Sequence, residues 1–85
     1  MQTGREMPRY KSHKEVWALK IARVENTAEG GTLYPEDRQY DKIQVDFHYM
    51  AKHNPVAGGY YVVYKDGYKS FSPAEAFEDG YTLVN

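Results

Sequence analysis

The stretch from Gly58 to Tyr81, GGYYVVYKDGYKSFSPAEAFEDGY, limits what this chain can fold into more than any other. Tyr60 to Tyr64 is a run of aromatic and β-branched residues, and Tyr68 to Phe71 is strand-like again beyond Asp66-Gly67. This is a β-hairpin pattern, because glycine accepts, and aspartate tolerates, the positive φ of a two-residue turn. Such a turn pairs Lys65 with Tyr68, Tyr64 with Lys69, Val63 with Ser70 and Val62 with Phe71. Alternation then puts Tyr60, Val62, Tyr64, Lys69 and Phe71 on the expected core face, and Tyr61, Val63, Lys65, Tyr68 and Ser70 on the other. Ser72-Pro73-Ala74-Glu75 spells a capping box with proline at the first helical position, and Gly80 offers a left-handed stop. Tyr81 to Val84 reads as a last short strand.

At 85 residues the chain is expected to form one domain with a modest core. It has no cysteine, which excludes disulfides and thiolate zinc sites. No apolar run is long enough to span a bilayer and no signal-peptide core is present, so a soluble protein without a membrane role is expected. The net charge of −1 conceals an asymmetry: residues 1–23 carry six basic and two acidic side chains, leaving −5 for the rest. A basic arm of this kind suits phosphates or an acidic partner, although residues 1–9 read as a flexible basic tail ahead of a domain over residues 10–85.

Lys14 to Glu25 carries two signals. Trp17, Leu19 and Ile21 alternate with Ala18, Lys20 and Ala22 as in a half-buried strand, while Ser12-His13-Lys14-Glu15 spells a capping box. A strand is favoured, because a helix would place Trp17 and Ile21 on one side but Leu19 and Ala22 well around from them, with Lys20 between. Asn26 to Gly31 reads as a turn, Thr32 to Tyr34 as a brief strand stopped by Pro35, and Pro35 to Lys42 as a charged surface loop. Ile43 to Val45 is a short strand, after which Asp46 caps a helix over Phe47 to His53 that ends at Asn54-Pro55. Phe47, Met50 and Ala51 share the face expected to pack on the sheet. The fold class expected is therefore α+β, with a small antiparallel sheet of about four to five strands and two short helices.

The pattern Pro55-x-x-Gly58-Gly59-Tyr60, then Asp66-Gly67-Tyr68, Ser72-Pro73 and Phe77-Glu78-x-Gly80-Tyr81, preceded by the basic segment Tyr10 to Ala18, resembles a group of small accessory proteins of tailed bacteriophages. The resemblance covers most of Tyr10 to Val84. It implies a viral origin, action in the cytoplasm of an infected bacterium and a β-rich α+β fold. It carries over no catalytic residue, since the group has no assigned activity.

The residues themselves point away from catalysis. On a helix His48 and His53 stand about 140° apart at 3.6 residues per turn, so they do not converge on a metal. Glu36, Asp37, Asp41 and Asp46 read as a solvated face rather than paired carboxylates in a cleft. No serine sits in a nucleophile-elbow context, and neither glycine pair has the company of a phosphate-binding loop. Neither enzyme activity nor a cofactor is expected.

Nine tyrosines exceed what so small a core needs, and tyrosine supplies large, rigid, partly polar contact area. The expectation is a non-catalytic binding module that modulates a host bacterial protein, with Tyr61, Lys65, Tyr68 and Lys69 near the hairpin tip as contacts. The alternative for these tyrosines is that they cover the second side of the sheet against the 47–53 helix. A second class of function is a sponge for nucleotide signals, with tyrosines for stacking and Lys14, Lys20 and Arg23 for phosphates, in a homo-oligomer large enough to form a pocket. Nucleic-acid binding and a place in the virion are further alternatives.

Overall fold

The computed structural model describes residues 7–11 and 15–84. Its elements are β1 (Arg9–Lys11), β2 (Glu15–Thr27), β3 (Gly30–Pro35), β4 (Ile43–Asp46), α1 (Phe47–His53), β5 (Tyr60–Tyr64), β6 (Lys69–Ser72), α2 (Ala74–Gly80) and β7 (Thr82–Val84). The fold is α+β, an antiparallel sheet with two short helices. Among the described residues the sheet has seven strands where about four to five were expected; β7 falls within the last short strand read over Tyr81 to Val84, and β1, three residues paired with both β2 and β7, is an addition.

Everything is built on β2. Its first half pairs with β1 and β5 and its second half with β3, giving the order β4-β3-β2-β1-β7 with β5 and β6 branching from β2. The alternation of residues 15–25 therefore serves two cores at once. Leu19 and Ile21 enter one core with Leu33, Tyr49, Tyr61 and Val63, and Val16 and Ala18 enter the other with Tyr60, Val62 and Phe77. The register shifts between Ile21 and Arg23, an extra residue that flips the alternation so that Val24 packs on the same core as Ile21. A helix over residues 14–25 could not have fed both sides of a sheet in this way; Lys14 itself, with Ser12 and His13, lies outside the described residues.

Several boundaries differ from the expected ones. Residues 1–6 lie outside the described residues, but Met7 to Arg9, assigned to the tail, belong to the domain. Met7 is buried in the first core, the Pro8 carbonyl accepts the Ala18 N–H at 2.9 Å, and Arg9 begins β1. The turn expected over Asn26 to Gly31 shrinks to Ala28-Glu29, with Thr27 paired to Gly30.

The central hairpin forms, but one residue out of the expected register. Its pairs are Val63 with Lys69, Val62 with Ser70, Tyr61 with Phe71 and Tyr60 with Ser72. The loop is three residues long, Lys65-Asp66-Gly67, because the Tyr64 carbonyl accepts the Gly67 N–H at 2.8 Å and Gly67 takes φ 92°. Asp66 Oδ1 also accepts the Tyr68 N–H at 3.0 Å, which holds the loop closed. The slip puts Phe71 on the side of Tyr61 and Val63, where its ring covers Gly59 so closely that a Cβ there would overlap it. Both faces are consequently core, and the expected division into one core face and one outer face does not hold.

The capping of α1 follows the sequence: Asp46 Oδ1 accepts the Tyr49 N–H at 2.7 Å, and Asn54, left-handed at φ 45°, donates its N–H to the Met50 carbonyl. Its buried side chain, however, is Tyr49 rather than Phe47. The Tyr49 hydroxyl donates to the Ser70 carbonyl at 2.6 Å, so the ring enters the core without stranding its polar tip. Met50 packs over Gly31, while Phe47 and Ala51 remain outside.

The cap expected for α2 is absent. Ser72 is still paired to Tyr60 in the ladder, and Pro73 stands at the N-cap with no side-chain bond. Gly80 is the last helical residue without positive φ, and the Tyr81 N–H closes the helix on the Phe77 carbonyl at 2.9 Å. Ser72→Ala is accordingly expected to change stability by less than about 0.5 kcal/mol. Asp46→Ala is expected to cost about 1 kcal/mol through the lost cap. Urea denaturation of the two variants checks the contrast, and equal losses would contradict it.

Candidate binding surface

Because Tyr49 and Met50 turn inward, α1 becomes a ridge with a different chemistry on each flank. Phe47, Met50, Ala51 and Asn54 border an apolar groove of about 380 Å³, closed by Val24, Asn26, Pro55 and Val56. Phe47 is 72% exposed and Val56 58% exposed, the two most exposed large apolar side chains among the described residues. On the other flank, His48, Tyr49, Lys52 and His53 border a cleft of about 410 Å³ against Gln44, Val45 and Asp46 of β4 and Tyr68 and Lys69 of the hairpin.

The cleft is basic and aromatic. Lys52 Nζ stands 5.3 Å from the centre of the Tyr68 ring, and the His53 ring lies 4.6 Å from that of Tyr49 and 6.2 Å from that of Tyr68. Desolvation, with Lys52 and His48 adding to it, holds His53 below the usual imidazole range.

The candidate contact residues do not form one site. Tyr61 is buried in the first core, 6.1 Å ring to ring from Tyr49, and is corrected from a surface contact to a core residue. This follows from the second face of the sheet being covered by α1. Lys65 is exposed in the turn, whereas Tyr68 and Lys69 enter the cleft wall. Lys14 lies outside the described residues. Lys20 donates to Glu78 Oε2 at 2.9 Å, and the Tyr60 hydroxyl donates to the same oxygen at 2.8 Å, so this lysine ties α2 to the sheet. Those bonds hold the Glu78 carboxyl below its usual range and give it a structural part beyond the helix-surface role expected. Arg23 lies 3.9 Å over the Tyr34 ring, and its neighbour Glu25 accepts from the Tyr34 hydroxyl at 2.9 Å. Lys20 and Arg23 are thus engaged away from Tyr68 and Lys69.

No group of metal-ligating side chains converges among the described residues. No family model, curated protein or solved structure matches this chain. No helix among the described residues is long and apolar enough to cross a membrane. The site rests on its geometry alone.

Phe47, Val56 and Lys52 were missed from sequence. A seven-residue helix buries one stripe, and the stripe through Phe47, Met50 and Ala51 looks more apolar than the one through Tyr49 and His53. The only signal for the second was a tyrosine able to satisfy its own hydroxyl, and that required knowing that Ser70 would lie within reach.

The buried phenols make the fold sensitive to alkali. Desolvation pushes Tyr61 up to about 12 and raises Tyr49 and Tyr60 as well, the last helped by its bond to Glu78. In an unfolded chain phenols ionise near ~10. The stability these groups confer is therefore intact below about pH 10 and lost as pH rises through their folded values. The part of the tyrosinate absorbance that comes from Tyr49, Tyr60 and Tyr61 should appear together with the change in circular dichroism above about pH 10; complete phenol ionisation with the fold intact would contradict the burial.

Proposed function

We propose that this protein is a non-catalytic binding module that docks a partner protein on the apolar flank of α1. The observation that supports it is the pair Phe47 and Val56, both exposed and both lining an apolar groove that Met50 and Ala51 also border. Exposed aromatic and aliphatic side chains bordering a concave apolar surface are anchors of the kind that carry most of an interface's binding energy. The phage resemblance supplies the setting: the partner is a host bacterial protein, met in the cytoplasm during infection, and binding modulates it.

Replacing Phe47 with aspartate leaves the cores untouched, so its melting temperature should match that of the parent. In a tagged pull-down from nuclease-treated bacterial lysate, the parent should retain a defined host protein and Phe47→Asp should lose it. Retention of the same protein by both would move the contact off this groove.

A further inference from the structure

The basic cleft on the opposite flank of α1 has no part in that docking surface, and its chemistry points to a different ligand. Lys52 and Lys69 stand in its wall, and neither takes part in an ion pair among the described residues. The one carboxylate of the wall, Asp46, has an oxygen occupied by the Tyr49 N–H at 2.7 Å. The cleft therefore carries an excess of positive charge in a chain whose net charge is −1. Its volume of about 410 Å³ falls in the range of small-molecule sites. Tyr68 is 46% exposed, with Lys52 Nζ 5.3 Å from its ring centre.

We propose that this cleft is a binding site for a nucleoside monophosphate, with Lys52 and Lys69 meeting the phosphate and Tyr68 stacking against the base. A phosphate monoester carries about −1.5 to −2 charges at neutral pH, which two lysines match and a lone carboxylate would not require. Lysine is suited to phosphate as a compact charge on a flexible stem, and the tyrosine ring accepts any base through its π face. The Gln44 amide, also in the wall, adds donors for the polar edge of the base, its oxygen accepting from the Thr32 hydroxyl at 3.4 Å.

His53 makes the site responsive to the ligand's charge. Its ring lies against Tyr49 of its own helix and Tyr68 of the hairpin, His48 and Lys52 are its titratable neighbours on the helix, and Asp46 and Lys69 stand in the same cleft wall. Desolvation and, after it, its neighbours Lys52 and His48 push its proton off; an entering phosphate adds negative charge that acts in the opposite direction, so binding raises the imidazole pKa.

The test is a titration of the full chain with AMP at pH 7 in low salt, followed by NMR, with inorganic phosphate and adenosine as separate probes. AMP should bind, adenosine and inorganic phosphate should each bind at least about tenfold more weakly, and the His53 imidazole should titrate at higher pH when AMP is present. Both lysines lie outside the cores, so Lys52→Ala/Lys69→Ala should stay folded and lose AMP by about tenfold or more. The Phe47→Asp variant should bind AMP like the parent, which separates this site from the protein-docking groove. AMP binding no tighter than adenosine, inorganic phosphate binding as tightly as AMP, or a folded double-lysine variant with parental affinity would each overturn the proposal.

Discussion

Replacing Gly30 with alanine is expected to remove about 3 kcal/mol or more of stability, combining a strained backbone with overpacking. Gly30 sits at φ 153°, paired with Asp46 where β3 meets β4. A Cβ at this position would fall on the Val45 carbonyl oxygen and lie 2.7 Å from the Asp46 Cα. These are backbone atoms, and no side-chain rotation moves them away. Because Asp46 also caps α1, displacing it disturbs the helix that separates the groove from the cleft. Gly58→Ala is the control: its φ is 94°, but nothing lies within 4 Å of its Cβ, so only the left-handed cost of about 1–2 kcal/mol applies. Chemical denaturation of the two variants decides the matter, and equal losses would show that β3 and β4 do not approach this closely.

Phe77→Ala is expected to cost about 3–5 kcal/mol, the range for deleting a buried aromatic side chain. Phe77 is 1% exposed, stacked on Tyr60 at 4.2 Å and Tyr81 at 4.5 Å, with the Tyr10 ring edge-on at 4.7 Å. It is the only buried residue of α2, so its removal takes away the apolar hold of that helix on the second core. Domains of this size are stable by about 5–15 kcal/mol in all, which leaves the variant close to unfolding. The bond of Glu78 to Lys20 would remain, but it is solvent-exposed and cannot replace a buried ring. A variant melting within about 5 °C of the parent would mean that α2 is held by something else.

The elements legible in the sequence were those whose signals are local. Asp46 caps α1 through its own side chain, Asn54-Pro55 ends it, and residues 60–64 and 69–72 are strands joined through a left-handed glycine. Three features escaped because each depends on a distant partner. The hairpin register was decided by Phe71 covering Gly59 and by a turn that takes in Lys65. Ser72 could not cap α2 while paired to Tyr60 across the sheet. Tyr61 was drawn inward because α1 covers the face that alternation had left open. Of the residues that line the cleft, Tyr68 and Lys69 are neighbours near the hairpin tip and could be grouped from sequence, whereas Lys52 and His53 come from α1, and only the tertiary fold brings the two segments together.

The pairing of β1 with β7 sets Arg9 opposite Val84. Closing that pair joins the two ends of the described chain, whereas β2–β3 and β5–β6 close over short loops. Ring closure across a whole domain carries the largest entropic cost of any contact in it and is compensated only once the intervening strands are in place. β7, whose one sheet partner is β1, is therefore expected to zip last during folding and to open first, whereas β1 is held by its local pairing with β2. Tyr81, stacked on Phe77 immediately before β7, loosens with it, so the edge of the second core opens before the first core around Tyr49 and Leu33 is touched.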